Sequence, residues 1–231
     1  MFTDPVNKYG GGIVEAPHKG AGLRHSKDST DRLFDYDLHL ESRTLWVGAT
    51  VLEDGSEAGV DAAMAETFIK GLHLLQYGAK AEEPITVKMT NPGGSWYYGM
   101  AMYDAIRNCR APVTIEASGL CMSMGSIIIQ AADHRLVHPN CRFMLHDGEE
   151  GYVGHARDFE NWGKECKRIR GEMYAIYAER SGRPVGYWEK RCMFDLILTA
   201  DQAVREGLAD KVLPHVKQFG LQKKSIRKAK G

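Results

Sequence analysis

The sequence predicts an α/β fold built on a largely parallel sheet, and three observations predict it. Short apolar, β-branched runs alternate with longer segments of helical period along most of the chain. The joints between them are brief and carry glycine, as at Gly93-Gly94 and Gly207. Repeated strand–helix–strand units of this kind return the chain to the same sheet edge, which pairs strands in parallel. A length of 231 residues fits one domain, or at most two small ones.

The elements follow in order. Thr44-Leu45-Trp46-Val47 reads as a strand. Residues 58–77 suit a helix ending at Gly78, with Val60, Met64, Ile69, Leu72 and Leu75 roughly on one side. Ile85 to Met89 is a strand, followed at once by Asn91-Pro92-Gly93-Gly94-Ser95, where Ser95 suits the N-cap of a helix to about Asn108. Val113 to Ala117 is the next strand, and an apolar helix follows from about Ser123 to Ala132. Two short strands, Arg135–Val137 and Arg142–His146, precede a long amphipathic helix over about 155–180. In that helix Phe159, Trp162, Cys166, Ile169, Met173 and Ile176 recur at helical spacing. Thr199-Ala200-Asp201-Gln202 has capping-box form and opens a short helix that stops at Gly207. Lys211-Val212-Leu213 closes the fold as a strand. Residues 1–31 hold no period and read as a flexible arm, residues 32–214 as the folded domain, and residues 215–231 as a basic tail.

Composition removes several classes of function. The 30 basic and 30 acidic residues cancel, which argues against a protein that coats nucleic acid through a basic face. A zero net charge also removes self-repulsion and hints at assembly. Five cysteines without regular spacing form neither a disulfide framework nor a zinc ribbon. No signal-peptide core and no membrane-length apolar run occur, so the reading is a reducing, cytoplasmic compartment. His134 and His138 lack an accompanying Glu and are followed by Pro139, so no helical metal pair is expected. Neither a Gly-x4-Gly-Lys-Ser/Thr loop nor a strand-borne Gly-x-Gly-x-x-Gly occurs, so no bound nucleotide cofactor is expected.

Chemistry concentrates where strands meet helices. Gly93-Gly94 sits at such a joint, and glycines there leave backbone N–H groups bare for an anion or a developing oxyanion, although most such pairs are only turns. Ser123, in Cys121-Met122-Ser123-Met124-Gly125, occupies the next joint, with its hydroxyl at a helix N-terminus. That geometry serves a nucleophile or a structural N-cap. The hydrolase motif Gly-x-Ser-x-Gly is not met, because Cys121 stands where its first glycine belongs. A serine nucleophile needs a base and a group to orient it. His146 closes a strand and so has a rigid mount. Asp195 stands between apolar residues, where a carboxylate needs a partner. A surface histidine and a helix-capping aspartate are the alternatives, and residue chemistry alone does not choose among nine histidines.

These residues and their order resemble the proteolytic subunit of the Clp (caseinolytic) serine proteases. The similarity runs from about Asp31 to Pro214 through Asn91-Pro92-Gly93-Gly94-Ser95, Gly99 to Asp104, Ser123-Met124-Gly125, and Met144-Leu145-His146. It continues in Gly151-Tyr152-Val153-Gly154 with Ala156, and in Leu198-Thr199-Ala200 through to Gly207-Leu208. The resemblance implies the crotonase/Clp-protease-like β-α-β superhelix, with residues 155–180 as its protruding handle helix. It implies Ser123 as nucleophile, His146 as base and Asp195 as orienting acid, with the N–H groups of Gly94 and Met124 as oxyanion hole. It further implies heptameric rings, possibly stacked in pairs around a chamber, unfolded polypeptide substrates, and a Clp-type ATPase unfoldase as partner. No cofactor, nucleic acid or membrane belongs to that picture. The chain departs from the family at Asp147-Gly148, where Gln-Pro is usual, and at Phe194, where a charged ring-pairing residue is usual. Such departures fit a phage-type capsid-maturation protease as the alternative; a crotonase-type acyl-CoA enzyme shares the superhelix but more often relies on a carboxylate base.

Overall fold

In the computed structural model, which describes residues 27–51, 57–149, 151 and 153–216, the chain opens with helix α1 (Lys27–Tyr36). The expected arm therefore ends earlier than residue 31, its last five residues being helical. The apolar positions Leu33, Phe34 and Tyr36 all lie beyond residue 31, so a window closed there holds no period. Residues 1–26 of that arm and 217–231 of the basic tail lie outside the described residues.

Next come β1 (Leu38–His39), β2 (Thr44–Val47) and a small hairpin of β3 (Thr50–Val51) with β4 (Glu57–Ala58). Helix α2 (Ala62–Leu75) starts four residues later than residue 58, where its period suggested. Two local bonds delay it: Val60 is held in a bridge to Gly94, and Asp61 caps the helix, its Oδ1 accepting from the Met64 N–H at 2.8 Å. Strand β5 (Ile85–Asn91), helix α3 (Trp96–Arg107) and strand β6 (Val113–Met122) follow. The helix expected over 123–132 divides into α4 (Met124–Ile128) and a 3₁₀ turn over Ile129–Ala131. Strands β7 (His134–Val137) and β8 (Arg142–Leu145) lead to the long helix α5 (Phe159–Ser181), then α6 (Val185–Arg191). Strand β9 (Leu196–Thr199), α7 (Ala200–Arg205) and β10 (Lys211–Val212) complete the chain. At α7 both halves of the expected capping box form between Thr199 and Gln202.

The sheet's main path runs β1-β2-β5-β6-β7-β10, and along it every pairing except β1–β2 is parallel. Strand β6 forks: its first half pairs with β7 and its last three residues pair with β8, also in parallel. Strand β8 in turn takes β9 antiparallel. Alternate residues of β5 and β6 (Ile85, Val87, Met89; Val113, Ile115, Ala117) are buried against α2, α3 and α4. Trp188, Tyr177 and Phe143 are the bulkiest of the fully buried side chains in this core. Buried Asn91, Cys121, Phe143 and Leu145 lie at the C-terminal ends of β5, β6 and β8, which form one rim, and apolar surface buried there stabilises the fold by roughly 25 cal/mol per Å².

Candidate active site

Sheet register brings the four sequence-predicted positions to that rim. Asn91 of β5 pairs with Cys121 of β6, so the Gly93-Gly94 turn and Ser123 emerge side by side. Met122 pairs with Met144 of β8, and the Ser123 N–H donates to the Met144 carbonyl at 2.8 Å, two residues before His146. Leu145 pairs with Leu196 of antiparallel β9, which sets His146 opposite Asp195. Residues far apart in the chain meet because four strand ends share one edge.

The Ser123 side chain Oγ lies 2.8 Å from His146 Nε2, an ordinary hydrogen bond. His146 Nδ1 faces Asp195 Oδ1 at 3.5 Å, an ion-pair distance rather than a hydrogen bond. The imidazole is mostly buried, with 21% of its side chain exposed, whereas Asp195 is 64% exposed. The expectation that Asp195 needs a partner because it is buried is thus corrected in its premise. The carboxylate has the His146 ring beside it, but its strand-start position and the exposed neighbours Met193, Phe194 and Ile197 leave it open to solvent.

Ser123 adopts φ +48°, ψ −121°, a region that residues with a Cβ rarely enter and that costs of order 1–3 kcal/mol. The strain is held by bonds on both sides. Its N–H is taken by Met144, and its carbonyl accepts from the Ser126 N–H at 3.0 Å and the Ser126 Oγ at 2.7 Å. A sharp strand-to-helix turn of this kind lifts the hydroxyl off the sheet edge without a glycine at position 121.

The Gly93-Gly94 turn is built by its neighbours. Buried Asn91 donates from Nδ2 to the Gly48 carbonyl at 2.9 Å, and its Oδ1 accepts the Gly93 N–H at 2.9 Å. Val60 donates to the Gly93 carbonyl at 2.6 Å and accepts from Ser95 N–H at 2.8 Å. A parallel bridge using those two groups turns the N–H of the intervening Gly94 to the opposite side. Both glycines have φ beyond +100°, and a Cβ on Gly93 would lie 2.6 Å from Ser123 Cβ. Gly94 and Met124 line one cavity of about 240 Å³ together with Ser123 and His146. Met124 is the first residue of α4, so its N–H is among those a helix leaves unpaired. Trp96, Ile127, Ile169 and Met173 make the cavity's apolar wall, and Asp147, Glu149 and Arg170 stand at its polar side.

Three contributors carry no motif in the sequence, and the motif that holds a fourth, Asn91, assigns it no role. Asn91 shapes the glycine turn; Ser126 supports the Ser123 carbonyl; Tyr177 and Tyr174 reach in from α5. Tyr177 OH is 2.7 Å from Ser126 Oγ, and Tyr174 OH donates to the Asp147 carboxylate. Burial, and then the Asp147 hydrogen bond, push the Tyr174 hydroxyl above the usual phenol range; complete burial does the same for Tyr177. Only the apolar spacing of α5 marked that face as inward, and it did not single out the hydroxyls. Among the described residues no group of His, Cys, Asp or Glu is arranged to hold a metal ion, and no helix is long and apolar enough to cross a membrane.

The chain is similar to known proteins. The family model for Clp protease matches residues 55–216. A protein of Deinococcus radiodurans named ATP-dependent Clp protease proteolytic subunit is 30% identical over 191 residues, covering 81% of this chain and 89% of its own length. A Salinibacter ruber protein named ATP-dependent Clp protease proteolytic subunit 1 is 26% identical over 218 residues, covering 92% of this chain and 89% of its own. Among solved structures, a mutant of ClpP1 from Listeria monocytogenes superposes with a TM-score of 0.65 at 24% identity, over 75% of this chain and 92% of its own, a likeness of fold.

Proposed function

The chain belongs to the Clp protease family, a family of serine peptidases, and on that premise we propose that Ser123 is its nucleophile, His146 its general base and Asp195 its orienting acid. The 2.8 Å contact between Ser123 Oγ and His146 Nε2 carries this reading. As Oγ attacks a peptide carbonyl carbon, His146 takes the hydroxyl proton and the carbonyl π electrons move to oxygen. The tetrahedral oxyanion accepts hydrogen bonds from the Gly94 and Met124 N–H groups. Collapse breaks the C–N bond, and His146 returns the proton to the leaving amine. Water, deprotonated by the same imidazole, then releases the acyl group from Ser123.

Asp195 stabilises the imidazolium and keeps the neutral ring in the tautomer with Nε2 free to accept. Its 3.5 Å separation shortens when substrate or a neighbouring subunit covers it, since such contacts are commonly loose before the site is filled. Losing one oxyanion donor costs on the order of 10²–10³ in rate, and losing the nucleophile about 10⁶.

The working form is a homo-oligomer, a heptameric ring that can stack into a chamber. Exposed Met193, Phe194 and Ile197, which flank Asp195 in the chain, support this, because apolar side chains grouped on a surface ask for a covering one. Unfolded polypeptide, fed by a Clp-type ATPase, is the substrate class. Ser123→Ala is expected to abolish cleavage of a fluorogenic peptide, and mass photometry of the purified chain to show a heptamer or larger. Undiminished cleavage by the Ala variant overturns the nucleophile, and a stable monomer of about 25.8 kDa overturns the chamber.

A further inference from the structure

Two hydroxyls on one helix reach the two halves of the Ser–His pair separately. Tyr174 and Tyr177 are three residues apart on α5 and so share a face. Both are buried, at 5% and 0% exposure. Tyr174 OH donates to Asp147, the residue that follows His146, and Arg170, one turn earlier, stands 3.5 Å from the other carboxylate oxygen. Tyr177 OH lies 2.7 Å from Ser126 Oγ, which itself lies 2.7 Å from the Ser123 carbonyl oxygen. A carbonyl only accepts, so Ser126 spends its one proton there, and Tyr177 is the donor to Ser126. The result is a directed chain from Tyr177 through Ser126 to the Ser123 backbone.

We propose that Tyr174 and Tyr177 are positioning residues that set the separation of Ser123 and His146, with α5 as the rigid rule between them. The proposal rests on the reading of Ser123 and His146 as nucleophile and base. A phenylalanine fills nearly the same volume at either position, so packing alone does not call for the hydroxyls. What they add is a fixed point on each side of the reacting pair. On the serine side the point is needed most, because Ser123 sits at a strained φ of +48° and relaxes if its carbonyl is released. On the histidine side, Asp147 begins a loop of exposed Gly148 and Glu149, and its two bonds to α5 tie down the end of the strand that carries the base. An error of about 1 Å between reacting groups costs on the order of 10² in rate, and binding of substrate need not change with it.

The test uses the assembled full-length chain, with peptide-cleavage kinetics, the rate of Ser123 labelling by a fluorophosphonate, and oligomer mass. Tyr174→Phe and Tyr177→Phe are each expected to lower kcat about tenfold with KM within about twofold. Because both hold one distance, the double variant loses no more than about threefold beyond the worse single. Asp147→Asn keeps an acceptor for Tyr174 and stays within about threefold of wild type, whereas Asp147→Ala falls as far as Tyr174→Phe. Tyr187→Phe, which loses a comparable 2.7 Å bond to Glu206 away from the site, leaves kcat unchanged. Unchanged kcat in both Phe variants, multiplying losses in the double, an equal loss in Tyr187→Phe, or a loss that appears only with altered oligomer mass overturns the proposal. If wild type itself is not labelled at Ser123, the active-site reading falls and the proposal with it. If wild type is labelled and the Phe variants label at the same rate, the proposal alone falls.

Discussion

Replacing Gly93 by alanine tests how closely the glycine turn and Ser123, the proposed nucleophile, are fitted to each other. The added Cβ would stand 2.6 Å from Ser123 Cβ, 3.1 Å from Ser123 Oγ and 3.2 Å from the Met122 carbonyl oxygen. Carbon atoms in comfortable contact are about 3.5–4.0 Å apart, so relief requires a shift of about 1 Å between the turn and Ser123. Neither side yields easily: Gly93 is bonded to Asn91 and Val60, and Ser123 to Met144 and Ser126. The backbone at Gly93, with φ +120°, adds a conformational cost of about 1–3 kcal/mol for any residue with a Cβ. A displacement of that size predicts a loss of at least 10² in kcat on a fluorogenic peptide. The melting temperature should fall by only about 2–12 °C, since roughly 2–4 °C accompany each kcal/mol in a chain of this size. Steady-state kinetics beside thermal unfolding makes the comparison. Activity within threefold of wild type refutes the fit between turn and nucleophile on which the oxyanion assignment rests.

Three further outcomes follow from other parts of the fold. Burial alone raises the Asp210 carboxyl, but its hydrogen bonds and charge contact with buried Arg135 outweigh that and leave its pKa lowered. A lowered folded value means the stabilisation is present above the unfolded carboxylate pKa of about 3.9 and is lost as pH falls through the folded value. Asp210→Asn should therefore lower the melting temperature at pH 7, with the difference from wild type shrinking only below about pH 4; a constant difference down to pH 2 contradicts this. Burial pushes the Cys141 and Cys192 thiols up to about 11 and about 12, so iodoacetamide at pH 8 should modify them only after unfolding, as peptide mapping will show. Gly171, exposed inside α5 with open space where a Cβ would go, should accept alanine and gain about 0.5–1 kcal/mol in denaturant unfolding.

Much of this site was legible in the chain because it uses residue types that announce themselves at joints. Glycines after β5, a serine opening α4 and a histidine just after β8 mark three strand ends, and a parallel sheet gathers its strand ends on one side. The resemblance of ordered motifs then chose among alternatives that residue chemistry had left open. What was not legible depends on register and on long-range partners. The opposition of His146 and Asp195 comes from the Leu145–Leu196 pairing, which no local pattern encodes. The solvent exposure of Asp195 does not show in the sequence, because its apolar neighbours Phe194 and Ile197 are themselves exposed. The strained turn at Ser123 hides behind Cys121, since the strain is held by Met144 and Ser126 rather than by a glycine. The start of α2 slipped for a similar reason: Val60 fits a helical stripe, yet its backbone is bonded to the turn that carries Gly93 and Gly94. The apolar stripe of α5 is read on Met173 and Ile176, not on their neighbours Tyr174 and Tyr177, whose part shows only in the atoms their hydroxyls meet.

The central claim is that His146 activates Ser123. Peptide mapping by mass spectrometry after fluorophosphonate treatment tests it most directly, on wild type and on His146→Ala side by side. A single adduct on Ser123 is expected in wild type, with at least a 10³-fold slower reaction in the variant. An adduct on another residue, or equal labelling of Ser123 without the imidazole, contradicts it.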